Sequence, residues 1–169
     1  DYAKTAISML EKNKKPLIFF SDYYEIKNGR KVAVTKNLKI KRILLYPLRA
    51  EILQSRKIVK RTALAFGNPI CCPAVTYNRE NLKNFYFDEG MKVSLDWYAW
   101  YKISEYKGRF VYVSDKLMCH RIHEESETSK TIADNTRSKE DLYMYQLFWP
   151  KWIANILMKQ YVKSQKTNG

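Results

Sequence analysis

Asp96 stands in the most aromatic stretch of the chain, LDWYAW at residues 95–100, a lone carboxylate among a leucine, two tryptophans and a tyrosine. Burying an unpaired carboxylate costs several kcal/mol or forces a pKa shift, so an Asp in such a place either caps a helix or does chemistry. In the first turn of a helix its charge is favoured by the macrodipole, by about 0.3–1 kcal/mol. The same placement keeps the carboxylate ionised near neutral pH, as a general base needs before it can take a proton from an attacking hydroxyl. Trp100 follows one turn on, sharing the face, and an aromatic ring beside a carboxylate makes a sugar-sized apolar platform. Spacing alone leaves both readings open.

Asp22 closes the apolar run PLIFFSD. It either starts a turn or ligates a hard divalent ion, Mg²⁺ or Mn²⁺, that bridges to a diphosphate; Glu25 is the only other acid close by. Arg121 and His123 are two residues apart in KLMCHRIH, so on a strand they project from one face. Both could donate to phosphate oxygens, or His123 could complete a metal shell; as isolated donors they also fit an ordinary surface. Cys119, His120 and His123 make a poor zinc set, because His120 and His123 would point to opposite faces of that strand. No GxSxG elbow, P-loop or GxGxxG occurs.

These residues must be positioned by an α/β arrangement. Ala3, Ala6, Ile7 and Leu10 fall at helical spacing before the basic run that leads to Pro16. PLIFFSD then reads as a strand ending at Ser21 and Asp22, covered on both faces, with its polar carboxyl end where open α/β sheets place ligands. Residues 36–61 hold nine basic residues and one acid on an amphipathic helical pattern interrupted by Pro47. FGNPICCPAVTYNRE is a loop leading into a short strand. Ser94 N-caps a helix running to about Lys107; RFVYVSD and KLMCHRIH read as two further strands. From Ser138 a long helix is expected, with Leu142, Tyr145, Phe148, Trp149, Trp152, Ile153, Ile156 and Leu157 on its apolar side and a kink at Pro150.

With 169 residues, 46% hydrophobic and 14% aromatic, the chain has material for one cored domain. No apolar run approaches the roughly 20 residues that span a bilayer, and the three cysteines form no CxxC pair, so a soluble protein of the reducing cytoplasm is expected. The net charge of +14 is concentrated in residues 1–61, which hold 16 basic and 5 acidic residues. Such a surface attracts phosphate, whether of nucleic acid, anionic lipid or nucleotide. The basic stretch reads equally as a solvated helix face and as a membrane-surface or acceptor-binding one; the second reading implies peripheral docking on the inner face of an anionic membrane.

Taken in order, SDYYE, GNPICCPAVTYNRE, LDWYAWYKISEYKGRFVYV and CHRIHEESET resemble a family 2 glycosyltransferase with a GT-A fold. The resemblance implies an inverting enzyme that moves a sugar from a nucleotide-diphosphate donor to a glycan or lipid-linked acceptor, in cell-surface polysaccharide synthesis. It implies an incomplete GT-A mixed sheet flanked by helices over residues 1–135 and a helical extension over 136–169. Asp22 takes the place of the family's metal-binding Asp-x-Asp, with Tyr24 where the second Asp belongs. Asp96 becomes the catalytic base, with Leu95 where a second acid is often found. Trp97, Trp100 and Lys102 become substrate contacts, Asn68 and Pro73 line the acceptor pocket, and Arg121 and His123 meet the diphosphate or its metal. The family's opening nucleotide-gripping strand has no counterpart before PLIFFSD, so the chain reads as the acceptor-side part of a longer enzyme that binds donor poorly by itself. The rival classes are a basic nucleic-acid-binding domain, which explains the charge but not the two aspartates, and a non-catalytic remnant of the transferase.

Overall fold

The computed structural model describes residues 1–121 and 136–166 as a mixed α/β fold. Helix α1 (Tyr2–Lys12) leads into the central strand β1 (Pro16–Lys27). Leu17, Ile18, Phe19 and Phe20 are all buried, so neither face of this strand meets water. Side chains alternate across a strand, and the two faces have different covers. Phe19 packs with Ala6 of α1 and with Val111, whereas Ile18 and Phe20 belong to the main core. The unbroken apolar run does mark a strand covered on both sides.

β2 (Arg30–Val32) returns along β1 through Asn28 and Gly29, whose φ values of 50° and 74° suit a two-residue hairpin. β3 (Val75–Tyr77) pairs antiparallel with Ile18–Phe20, and β4 (Arg109–Arg121) runs parallel to most of β1. Gly108 permits that start, because a Cβ there would sit 2.5 Å from the Lys15 carbonyl oxygen.

The basic stretch becomes α2 (Lys36–Leu45), two 3₁₀ turns (Tyr46–Arg49, which contains Pro47, and Glu51–Leu53) and α3 (Lys57–Leu64). α4 (Leu95–Ser104) buries Trp97, Trp100 and Ile103, which recur every three residues on the face turned to the core. Two helices follow, α5 (Thr136–Gln146) and α6 (Lys151–Lys166). Met144, Tyr145 and Ala154 enter the same core as Ile18 and Trp97.

Three expectations from the sequence are corrected. β1 does not stop at Asp22, and RFVYVSD and KLMCHR form one strand. The parallel ladder continues by slipping, with Ser21 opposite Val113, Asp22 opposite Lys116 and Tyr23 opposite Met118. The extra residues of β4 bulge out, and bulges re-aim the side chains beside them. The C-terminal helix is two helices, because Pro150 has no N–H to continue the ladder. α6 restarts with the Pro150 carbonyl accepting from the Ala154 N–H, and the helical phase is reset. Ala154 is therefore buried, while Trp152 and Ile156, expected on the apolar side, are 66% and 49% exposed.

Candidate active site

The start of α4 is fixed from a distance. Backbone N–H groups of Lys92, Val93 and Ser94 all donate to the Glu140 carboxylate of α5, at 2.8–2.9 Å. Ser94 does not cap with its side chain; its hydroxyl donates to Asp141 Oδ1 at 2.7 Å, and Arg137 Nε lies 3.5 Å from Asp141 Oδ2. Burial opposes the charge on Glu140, but the three N–H donors outweigh it and hold the carboxyl below its ordinary range.

Asp96, in the first turn of α4, is partly buried. Its Oδ2 accepts from Asn68 Nδ2 at 2.8 Å and its Oδ1 from the Trp97 backbone N–H at 2.7 Å. Burial raises its pKa above the ordinary value, against the pull of those two donors and of Lys41. Burial thus works against the helix terminus, which by itself favours the ionised form. Glu140 already occupies the N–H groups leading into the helix, so burial decides. A carboxyl shifted upward is a stronger base once ionised. Asn68 Oδ1 is buried with no hydrogen-bond partner among the described residues, an acceptor left over beside that carboxyl. Cys71, Cys72 and Tyr77 all sense the Asp96 charge; burial is the main cause of their raised pKa values, and it carries the Cys71 thiol up to about 11.

Asp22 sits in a different environment. It is buried mid-strand, with Oδ2 2.8 Å from Arg42 Nε, Oδ1 3.3 Å from Arg42 Nη2 and 2.8 Å from the Tyr23 N–H. Lys116 Nζ stands 4.0 Å away. Lys41 donates to the Tyr23 hydroxyl at 3.0 Å, so Asp22 and Tyr23 both reach α2 although consecutive strand residues ordinarily face opposite ways. The slipped ladder at this point accommodates that departure. A Mg²⁺ or Mn²⁺ ion wants several free oxygen ligands. Here both carboxylate oxygens are taken by a guanidinium, and among the described residues no three His, Cys, Asp or Glu side chains gather. The described residues do not fit a divalent metal, and no step is drawn through one. His123, the other expected ligand, lies outside the described residues.

The two aspartates are linked. Asp22, Tyr23, Lys41, Arg42, Pro69 and Cys71 line a cavity of about 10 Å³, the size of a single water site. Lys41 and Cys71 also interact electrostatically with Asp96, and Pro69 follows its partner Asn68. Pro73 is exposed on the 3₁₀ turn Cys72–Ala74 of the same loop. Trp97 and Trp100 are 1% and 0% exposed, which leaves no ring face open for a sugar. The Trp97 indole donates to the Leu64 carbonyl at 3.0 Å, and Trp100 stacks on Tyr77 at 5.7 Å. Lys102 is exposed near the far end of α4, about 9 Å along the axis from Asp96. Arg121 is exposed opposite Ile26, about 13 Å along the sheet from Asp22.

Reading the sequence passes over Arg42, Lys41, Glu140 and Asp141. Arg42 did carry a signal: it lies four residues after Leu38, on the side of α2 that turns inward, where a charge demands a partner. Glu140 carried none, since its contacts span up to 48 residues. Comparison of the chain with protein-family models, with curated proteins and with solved structures found no match.

Proposed function

We propose that the protein transfers a sugar from a nucleotide-diphosphate donor to an acceptor hydroxyl, with inversion at the anomeric carbon and with Asp96 as the base. The observation that carries this reading is the 2.8 Å hydrogen bond between Asn68 and Asp96. It joins the two segments that the resemblance assigns to the acceptor pocket and to the base, at a carboxyl whose pKa burial has raised. In the reaction, the acceptor O–H proton passes to the Asp96 carboxylate as its oxygen bonds to the anomeric carbon. The bond to the diphosphate breaks, and the diphosphate leaves with the electron pair. Arg121 and His123 are the proposed donors to that leaving group. Trp97 and Trp100 serve as the packed floor under Asp96, and the acceptor sugar meets the loop carrying Asn68, Cys72 and Pro73.

The fold proposed for this chemistry is a part of a GT-A domain, a reading supported by the parallel β1–β4 pair and helices on both faces. The acceptor is a glycan or lipid-linked glycan of the cell surface, and the work is done at the inner face of a membrane. The test is to present the protein with a panel of nucleotide-diphosphate sugars and glycan acceptors and to measure nucleoside diphosphate release. Acceptor-dependent release is expected; its absence over the whole panel, from protein that is folded by circular dichroism, would overturn the reading.

A further inference from the structure

α2 has an inner and an outer side. Leu38 and Leu45 are buried and anchor it to the protein. Ile40 and Ile43 lie on the opposite side, three residues apart, and are 46% and 70% exposed. The three-residue step continues into the 3₁₀ turn that follows, where side chains at i and i+3 eclipse. Tyr46 is 66% exposed, and the Arg49 guanidinium stands 5.5 Å from its ring centre. Ile52 in the next 3₁₀ turn is 72% exposed. Single exposed apolar residues are ordinary on a surface, but a run of four large ones along one segment is not.

The charge around this run is mostly positive. Lys36 and Lys39 are exposed along it, Arg49 is exposed but also donates to the buried Tyr112 hydroxyl, and Glu51 is the only acid between residues 36 and 61. The other basic residues of α2 are engaged inward, Arg42 on Asp22 and Lys41 on Tyr23. Lysines and arginines with long apolar stems flanking isoleucines and a tyrosine suit the boundary between water and lipid, where the rings and branched chains enter and the cations stay with the headgroups. A protein partner would have to match this apolar run in shape, and a nucleic acid would leave the isoleucines unused. Among the described residues no helix is long and apolar enough to cross a membrane, so the contact is one of lying on the surface.

We infer that the outer side of α2 and the two 3₁₀ turns after it, residues 36–52, is a docking surface for an anionic lipid bilayer, with Ile43, Tyr46 and Ile52 inserted and Lys36 and Lys39 on the headgroups. The inference names the surface for the membrane location proposed above, but it does not rest on the sugar-transfer chemistry. Vesicle binding and sugar transfer are separate readouts, so either can fail alone.

The experiment is co-sedimentation of the protein with vesicles of phosphatidylcholine alone and of phosphatidylcholine with phosphatidylglycerol, with a single-stranded oligonucleotide in a parallel arm. Binding only to the anionic vesicles is expected, weakening as salt is raised. Lys36→Gln and Lys39→Gln should each reduce it about fivefold. Ile43→Ser and Ile52→Ser should each reduce it about tenfold or more without moving the melting temperature, since both positions are exposed. Binding that ignores the isoleucine changes, binding to the oligonucleotide tighter than to the vesicles, or self-association abolished by Ile43→Ser would each overturn the assignment.

Discussion

Asp22 and Asp96 are close enough to share a lysine and a cysteine as neighbours, yet they are held in opposite ways. Asp22 is neutralised by a full positive charge, with Arg42 gripping both oxygens. Asp96 is held by two neutral donors, an amide and a backbone N–H, and burial pushes its pKa up. A carboxylate locked to a guanidinium is a structural element, whereas one held by neutral groups and short of full solvation is disposed to take a proton. The difference separates two residues that sequence alone treats as equal candidates.

The largest effect that would sharpen this contrast comes from removing the cation. Arg42→Met leaves Asp22 buried with the Tyr23 N–H and, 4.0 Å away, Lys116 as its remaining partners among the described residues, and should destabilise the fold by about 3 kcal/mol, read as a lowered urea midpoint. A midpoint within error of the wild type would mean that the ion pair is not what holds α2 to β1.

Next in size is Glu140→Ala, which strips the acceptor from three N–H groups ahead of α4 and should cost about 1–2 kcal/mol by the same measurement. Because the folded-state pKa of Glu140 is depressed, its contribution is present above about pH 4.3 and is lost as pH falls through the folded value. The gap between variant and wild type should therefore narrow in acid.

The smallest effect has the opposite sign. With the folded-state pKa of Asp96 raised, stability falls as pH climbs from about 3.9 through that raised value and is flat beyond it. Asp96→Asn can still accept from the Trp97 N–H and, with the Asn68 amide turned over, donates to the otherwise unpartnered Asn68 Oδ1. It removes this fall, so the variant should match wild type below about pH 3.9 and exceed it slightly near neutrality. A variant less stable than wild type at neutral pH would show that the charge on Asp96 is a stabilising one.

Much of the scaffold is legible in the chain. PLIFFSD declares a doubly covered strand and Ser94 the start of a helix. The same spacing that reads as a sugar platform places Trp97, Trp100 and Ile103 on the buried face of α4, so the tryptophans form floor and not platform. The bulges in β4 were not legible, because they exist only relative to the register of β1. The Glu140 contact was equally hidden, since local pattern gives no sign of a partner so far along the chain. Asp96 and Asn68 came together through the ordering of motifs and not through any periodicity, and Arg42 was passed over as a partner of Asp22 because a metal and a guanidinium answer the same negative charge.

The most direct test of the central claim is sugar transfer per folded molecule by Asp22→Asn and Asp96→Asn, measured beside their urea midpoints. Asp96→Asn is expected to lose about a hundredfold or more in turnover at an undiminished midpoint, and Asp22→Asn to lose about 2 kcal/mol of stability while the molecules still folded turn over as before. Full turnover in Asp96→Asn, or its loss in folded Asp22→Asn, would contradict the division of roles.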